Sequence, residues 1–323
     1  MSTSTKTMLK HNVEEIIFVA AALMIAVTML FFTTGCTQSP PQTSNEKPTV
    51  TVTTSFLQDM TDVLVGDKVN CLLIIPAGED PHLYNPKPED LDNIKAADLV
   101  LYHGLHFEGK MVEILEKTGK AVTRDFDKSD IGLFEEDGTM VDDPHFWFDI
   151  QLYKKAVKAA SADLQELLPE DKETIQANEA AYLTKLDALD KENKEALNKI
   201  PRESRILVTP HDAFGYFARC YDMDVVAPQG VSTSSEVANS DMQKTVDTIV
   251  DNNIKAIFAE STTDPVRMKK LQELVEAKGG HVEVISGDKG ELFSDSLAPK
   301  GQDGDTYLDM YRHNIKIIVE NLA

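Results

Sequence analysis

Cysteine is scarce in this chain of 323 residues, and so is positive charge. Cys71 lies in an apolar strand-like run and Cys220 in a helix-like segment, which favours two buried free thiols over a disulfide framework. The three cysteines of the chain also lack the spacing of a thiolate metal site. Lysine and arginine number 32 against 54 aspartate and glutamate residues, and the formal net charge is −22. Because phosphate recognition needs a basic face, we expect no nucleic-acid partner.

One long apolar run is present, and it lies at the N terminus. Lys6 and Lys10 precede the run, which extends from Ile16 to Phe32 and is followed by Thr-Thr-Gly and Cys36. This order is typical of a lipoprotein signal, so we predict a signal peptide at residues 1–35 and lipidation of Cys36. The next segment is rich in Ser, Pro, Thr and Gln, and residues 36–48 are predicted to form a flexible, lipid-anchored tether.

Two features depart from the usual lipoprotein signal. Glu14 and Glu15 dilute the positive charge before the apolar run, and Thr33 stands where such signals usually carry leucine. An uncleaved membrane anchor is therefore the alternative, since about 17 apolar residues are at the short limit for a membrane span. In both cases the rest of the chain is predicted to lie on the extracytoplasmic face of the cell membrane.

The remaining chain alternates strand-like and helix-like segments, and its length of about 285 residues predicts two domains. The alternation predicts an α/β fold of two similar lobes, each with a mainly parallel sheet flanked by helices. Predicted strands are Thr49–Thr53, Val69–Ile75, Leu99–Tyr102, Ile206–Val208, Ala256–Ala259 and Val282–Ile285. Predicted helices include Leu57–Val65, Pro88–Ala96, Lys110–Lys117 and Ala213–Cys220.

The most regular segment lies between the two halves. No Gly or Pro occurs in Glu170–Ile200, where apolar residues recur every seven positions at Ile175, Tyr182, Leu189 and Ala196. The pattern predicts one rigid helix of about 30 residues that links the lobes. We accordingly expect an N-terminal lobe, a linking helix and a C-terminal lobe at residues 49–168, 169–200 and 201–323.

Three histidines occur in short sequences of similar character, EDPHLY, DDPHFWFD and TPHDAFGY. They are His82, His145 and His211, and the chain has eight histidines in all. Neutral imidazole is the commonest side-chain ligand for first-row divalent metals, so this dispersed set predicts one metal site assembled from distant parts of the fold. Proline directly before His82 and His145 stiffens the loops that would present them.

A carboxylate is the expected fourth ligand, and position alone leaves three candidates. In parallel sheets, ligands bind outside the carboxyl ends of strands, where His82 and His211 are also expected. Asp295, Asp288 and Glu260 all follow predicted strands of the second half at short distance. Their positions in the sequence do not choose between them.

Six longer stretches are spread over residues 49–323: PAGEDPHLY at 76–84, ADLVLY at 97–102, DPHFWFD at 143–149, HDAFGYF at 211–217, QGVSTSSE at 229–236 and ELFSD at 291–295. In this order they closely resemble the solute-binding lipoproteins of zinc and manganese ABC importers, the cluster A-I metal receptors. So many ordered matches are more specific than any single motif.

The resemblance implies two α/β lobes joined by a single long helix, with one metal ion between them. It implies four ligands, His82 and His145 from the N-terminal lobe and His211 and Asp295 from the C-terminal lobe. His211 argues against the manganese-dedicated subtype, in which glutamate takes this position. The lack of a His-rich loop before Asp143 argues against the specialised high-affinity zinc subtype. We therefore expect a mixed zinc and manganese receptor, with iron as a third candidate ion.

The expected function is that of a lipid-anchored monomeric receptor, which delivers its ion to the membrane permease of an ABC importer without catalysing a reaction. A surface adhesin with a structural metal is one alternative. A zinc-dependent hydrolase with Glu260 or Glu236 as general base is another.

Other conspicuous residues have less direct roles in this interpretation. His103 and His106 are expected to be solvated loop residues, with a place behind the metal ligands as the alternative. Trp147 and Phe148 are expected to shield the site from water. Structural roles are expected for the remaining pair, His281 and His313.

Overall fold

The computed structural model describes residues 47–136 and 138–323. The predicted signal peptide and Cys36 therefore lie outside the described residues, as does most of the tether. Within the described part of the chain, no helix combines the length and the apolar character that a membrane span requires.

The N-terminal lobe is built on a four-stranded parallel sheet with the strand order β2-β1-β3-β4. Parallel neighbours require crossover connections, which the helices provide. The central strands β1 and β3 are almost entirely buried, as expected for a sheet covered on both faces. The strands are β1 (Thr49–Val52), β2 (Asn70–Leu73), β3 (Leu99–Tyr102) and β4 (Lys120–Ala121), and the helices are α1 (Ser55–Val65), α2 (Pro88–Ala96) and α3 (Val112–Thr118).

An antiparallel hairpin follows, which the sequence pattern does not predict. Its strands are β5 (Leu133–Glu136) and β6 (Thr139–Asp142), paired from Leu133 with Asp142 to Glu136 with Thr139. Leu133 and Met140 are exposed, so the strands lack the apolar alternation of a buried strand. The second strand runs directly into Asp143-Pro144-His145, and the hairpin therefore carries one of the predicted ligands.

The linking helix is present where the seven-residue pattern predicts it. A short 3₁₀ turn at Pro169–Asp171 leads into helix α5 (Lys172–Leu197), which follows helix α4 (Ile150–Leu167). Ile175, Tyr182 and Leu189 of α5 are buried, and the stripe packs against α4 and α1. The helix thus belongs to a large apolar core that contains residues from both halves of the chain.

The C-terminal lobe contains two pairs of parallel strands, β7 with β8 and β9 with β10. β7 lies beside β9, and their side chains share a second apolar core with Leu271 and Val275 of helix α8. The lobe has its own core and its own parallel pairs, which agrees with the predicted α/β repeat. Its elements are β7 (Ile206–Val208), α6 (Gly215–Tyr221), β8 (Asp224–Val226), α7 (Asn239–Asp251), β9 (Ala256–Phe258), α8 (Val266–Ala277) and β10 (Glu283–Ile285).

The last helix, α9 (Tyr307–Leu322), returns to the N-terminal lobe. The hydroxyl of Tyr307 donates a hydrogen bond of 2.6 Å to the backbone oxygen of Trp147, and Tyr311 bonds Phe148 in the same way at 2.6 Å. The helix also packs against α5 and α1. The two lobes are thus connected by the linking helix and, in addition, by α9.

The two cysteines of the described chain are free thiols, as predicted. Cys71 lies in β2 and Cys220 in α6, which confirms the expected elements. Both side chains are only partly buried, so the prediction of buried thiols is wrong in that respect. β2 is an edge strand of its sheet, and one side of Cys71 is therefore left uncovered.

Candidate metal centre

The structure brings the four predicted ligands together. His82 follows β2, His145 follows β6, His211 follows β7 and Asp295 follows β10. Each offers one ligand atom, and these atoms all lie within 4.8 Å of one another. His82 is 5% exposed and the other three side chains are completely buried. His82, His211 and Asp295 follow parallel strands, at whose carboxyl ends sites are expected, whereas His145 follows a strand of the antiparallel hairpin.

Asp295 is at the centre of the cluster. Its Oδ1 lies 3.3 Å from Nε2 of His145, and its Oδ2 lies 3.2 Å from Nε2 of His211 and 3.8 Å from Nε2 of His82. Ligand atoms about 2.1 Å from a zinc ion at tetrahedral angles are about 3.4 Å apart. The separations from Asp295 to His145 and His211 are close to this spacing, whereas the separation to His82, at 3.8 Å, and the 4.8 Å limit of the whole set are wider.

The same atoms are buried without hydrogen-bond partners. Among the described residues, no hydrogen bond satisfies Nε2 of His82, Nε2 of His145, Nε2 of His211 or either carboxylate oxygen of Asp295. A buried polar atom left unpaired costs about 1–3 kcal/mol. Five such atoms within one cluster could hold a cation, and imidazole with carboxylate suits zinc, manganese and iron.

Two of the histidines are oriented by carboxylates of their own lobe. Nδ1 of His145 lies 2.7 Å from Oδ1 of Asp143, and Nδ1 of His211 lies 2.6 Å from Oε2 of Glu260. The contact of His145 is a hydrogen bond, whereas that of His211 is a close charge pair without hydrogen-bond geometry. Metal-binding histidines commonly have a carboxylate at the second ring nitrogen, which favours one tautomer and one ring orientation. Glu260 therefore lies behind His211, whereas Asp295 lies within the cluster. The side chain of Asp288, the third candidate, lies outside the described residues.

The charges of these pairs affect the protonation of the histidines. Burial lowers the pKa of His145, but the hydrogen bond that its ring donates to Asp143, together with the nearby Asp295, outweighs burial and raises the pKa to about 9. Burial also opposes the charged form of His211, yet Glu260 and Asp295 raise its pKa well above the usual value. Burial raises the pKa of Asp295, but His211 and His145 hold it well below its usual range. Metal binding therefore requires His145 and His211 to release protons.

His82 is supported differently. Within the described residues, one carboxylate lies within 4.0 Å of its ring, that of Asp295. Its backbone N–H donates to Oδ1 of Asp80 at 2.9 Å, and burial lowers the pKa of its ring to about 3. His82 is thus neutral and ready to bind a metal, but Asp80 fixes its backbone and leaves the ring without a carboxylate on Nδ1.

An aromatic wall closes the N-terminal side of the centre. The ring of Trp147 lies 5.3 Å from that of His145, and the ring of Phe107 lies 5.0 Å from that of His82. Trp147 is completely buried, and its Nε1 donates to the backbone oxygen of Ser294 across the interface between the lobes. This position supports the expected role of Trp147 in excluding water.

His103 lies behind this wall, so its prediction as a solvated residue is wrong. It is 1% exposed, its ring contacts Trp147 and Phe107, and its Nε2 lies 2.7 Å from the hydroxyl of Thr54. Its backbone N–H donates to the buried carboxylate of Glu108 at 2.6 Å. Through these contacts His103 helps to hold the loop that carries Phe107 in place.

The other residues considered in the sequence lie away from the ligand cluster. His106 and His281 are exposed, and Glu236 is exposed on the surface of the C-terminal lobe. His313, on α9, has its Nδ1 3.0 Å from Oδ2 of Asp303 and its Nε2 3.0 Å from a backbone oxygen, which is a structural role. The sequence did not identify Asp143 as an orienting carboxylate. Its position two residues before His145 is the sequence feature that could have identified it.

Comparison with known proteins agrees with this arrangement. Residues 50–321 match the family described as zinc-uptake complex component A periplasmic (ZnuA). The chain belongs to this family. The resemblance to the metal receptors of ABC importers is therefore confirmed, and so is the two-lobed α/β fold.

Two relatives and two solved structures of the ZnuA family illustrate the similarity. Manganese-binding lipoprotein MntA of Bacillus subtilis (strain 168) is 36% identical over 307 residues, which cover 93% of this chain and 98% of the relative. Zinc-binding protein TroA of Treponema pallidum is 37% identical over 307 residues, which cover 94% and 97%. The solved structure of that protein has a TM-score of 0.81 over 86% of this chain and 99% of its own. A TroA structure concerned with metal-binding specificity is 62% identical, with a TM-score of 0.85 over 86% and 100%.

Proposed function

We propose that this chain is an extracytoplasmic receptor that binds one divalent transition-metal ion between its two lobes. The proposed ligands are His82, His145, His211 and Asp295. The observation that supports them is the cluster of five buried ligand atoms without hydrogen-bond partners in the described chain. Buried polar groups are nearly always paired in native proteins, so a bound cation is the simplest partner for the cluster.

Zinc is the first candidate for the ion, and manganese is the second. Three imidazoles and a carboxylate bind zinc more tightly than manganese in the usual stability order. The relatives are named for both metals, MntA for manganese and TroA for zinc. We propose that the ion carried in the cell follows the availability of the two metals, with ferrous iron as a third candidate.

The proposed activity is capture and delivery without catalysis. A catalytic zinc keeps an open position for water, whereas four protein ligands complete a tetrahedral shell. Glu260 is engaged with His211, and Glu236 is exposed, so neither is placed as a general base beside an open position. The family is an uptake family rather than an enzyme family. We do not propose adhesion, because no contact of the described residues favours it.

The proposed partner is the membrane permease of an ABC importer. Relatives such as MntA are named lipoproteins, which supports lipidation of Cys36 and anchoring at the extracytoplasmic face. A tether raises the effective concentration of the receptor at the membrane. Helices α5 and α9 both connect the lobes, so we propose a modest closure on binding and a release step in which the permease disturbs the ligand geometry.

Thermal unfolding of the metal-stripped protein tests the proposal. Zinc, manganese or ferrous iron would be added to the full chain in detergent, with His145→Ala and the exposed-histidine control His281→Ala alongside. An ion at about a thousand times its dissociation constant stabilises the fold by about 4 kcal/mol, which raises the midpoint by about 10 °C. We expect this shift in the unchanged chain and in His281→Ala but not in His145→Ala. The absence of a shift with all three ions would refute the proposed function.

A further inference from the structure

A hydrogen bond crosses between the lobes beside His82. The hydroxyl of Thr233, on the C-terminal lobe, donates to Oδ2 of Asp80, on the N-terminal lobe, at 2.6 Å. The other oxygen of the same carboxylate, Oδ1, accepts the backbone N–H of His82 at 2.9 Å. Thr233 is 5% exposed, so the bond between the lobes is shielded from water on that side. Asp80 therefore joins a candidate metal ligand to the opposite lobe.

The chain of contacts continues to a second ligand. The side-chain amide of Gln229 donates to the backbone oxygen of Thr233 at 3.0 Å, and Arg267 donates to the Gln229 side-chain oxygen at 2.6 Å. The backbone of Gln229 forms a parallel bridge with His211. His211 and His82 are thus connected through Gln229, Thr233 and Asp80, without passing through the position of the ion.

We propose that Asp80 and Thr233 are positioning residues that keep His82 in place for the ion and so set how long the ion stays bound. The proposal rests on the proposed function. His145 and His211 each have an orienting carboxylate from their own lobe, and they keep that support whether or not the lobes are together. His82 has its backbone bond to Asp80, whose other oxygen is held from the opposite lobe. Separation of the lobes therefore loosens His82 first, and the ion leaves through the loss of this ligand.

The test is the rate at which a chelator removes zinc from the full chain in detergent, measured by stopped flow. Thr233→Val keeps the shape of the side chain and removes the hydroxyl. A hydrogen bond to a charged group contributes about 1.5–3 kcal/mol, so we expect release about tenfold faster or more, with the association rate little changed. Thr233→Ser restores the hydroxyl and should release zinc within about twofold of the unchanged chain.

The matched control is Thr245→Val. Thr245 is also a buried threonine of the C-terminal lobe, but its hydroxyl bonds the backbone oxygen of Asp241 within its own helix at 2.9 Å. We expect no change in its release rate. The double variant Asp80→Ala with Thr233→Val should release zinc no faster than Asp80→Ala alone, because the hydroxyl acts through that carboxylate.

The outcomes separate this inference from the function on which it rests. Release from Thr233→Val at the rate of the unchanged chain, or an equal acceleration in Thr245→Val, would overturn the positioning role and leave the receptor assignment intact. Failure of the unchanged chain to hold zinc, manganese or iron would overturn the receptor assignment and the positioning role together. The thermal midpoint of each metal-free variant shows whether a faster release comes from a destabilised fold instead.

Discussion

His145 and His211 are held in one way, and His82 is held in another. The first two have a carboxylate on the ring nitrogen that faces away from the cluster, Asp143 in one lobe and Glu260 in the other. His82 instead depends on a backbone bond to Asp80, which Thr233 holds from the opposite lobe. In the proposed site, two ligands are therefore preorganised within their own lobes, and the third depends on the lobes being together.

This difference has a functional consequence for a carrier, which must bind an ion tightly and also release it. Preorganised ligands raise affinity because less ordering is needed when the ion arrives. A ligand whose position depends on closure makes release sensitive to the separation of the lobes. We propose that different histidines of the same site meet the two requirements.

The largest expected effect comes from removing a ligand. The free energy of zinc binding at a four-ligand site is about 10–16 kcal/mol, of which one ligand supplies roughly a quarter. His145→Ala or His211→Ala should therefore weaken zinc binding by about 100- to 1000-fold. His82→Ala should weaken it less, because the two preorganised histidines and Asp295 remain. Competition with a chelator of known affinity measures all three. Equal losses of zinc affinity in the three variants would contradict the proposed difference between His82 and the other two histidines.

The next effect is the dependence of affinity on pH. The raised pKa of about 9 means that His145 is protonated at neutral pH without metal and must release its proton to bind. Affinity should therefore rise with pH up to about 9, by about tenfold per pH unit for each proton released. His82→Ala should keep this slope, because the pKa of His82 is lowered to about 3. His145→Ala should reduce the slope by one proton but not abolish it, because His211, whose pKa is also raised, still releases its own. A slope that is flat between pH 6 and pH 8 in the unchanged chain would contradict this assignment.

The orienting carboxylates give a smaller effect. Asp143→Asn and Glu260→Gln keep the size of each side chain and remove its charge. Loss of such a partner typically lowers metal affinity by about 10- to 100-fold. Calorimetric titration with zinc measures the change, and Asp303→Asn beside the structural His313 is the control, for which we expect no change. Unchanged affinity in both test variants would show that the carboxylates do not prepare their histidines.

The smallest effect concerns the bracing of the His145 segment by helix α9. Tyr311→Phe removes the hydrogen bond to the backbone oxygen of Phe148, three residues beyond His145. A buried hydrogen bond contributes about 1 kcal/mol, so denaturant unfolding of the metal-free protein should show a loss of this size. Zinc affinity should change little, because Asp143 still orients the ring. A large loss of affinity would show that α9, rather than Asp143, positions His145.

Much of this site could be predicted from the sequence. His82, His145 and His211 could be recognised because they lie in short motifs of similar character and because three dispersed imidazoles suggest a shared ion. Asp295 could be chosen over Glu260 by resemblance but not by position, since both follow strands of the same lobe. Which of the two carboxylates enters the cluster depends on the path of the chain after each strand. That path places Glu260 behind His211.

Other features depend on packing that the sequence does not express locally. His103 stands next to a glycine after a strand, which indicates an exposed loop, yet aromatic side chains distant in sequence cover it. The hairpin Leu133–Asp142 escaped prediction because its exposed strands carry no apolar alternation. The hydrogen bond from Thr233 to Asp80 joins residues 153 positions apart, and no sequence pattern near either residue indicates that the two side chains are in contact.

X-ray absorption spectroscopy of the zinc-loaded full chain is the most direct test of the central claim that three imidazoles and one carboxylate hold a single ion. With metal analysis, the account predicts one zinc per chain, three nitrogen scatterers with imidazole multiple scattering, and oxygen from one carboxylate, at about 2.0–2.2 Å. His145→Ala should lower the imidazole count to two or leave the protein without zinc. A sulfur scatterer, or a spectrum with fewer than three imidazoles in the unchanged chain, would contradict the proposed site.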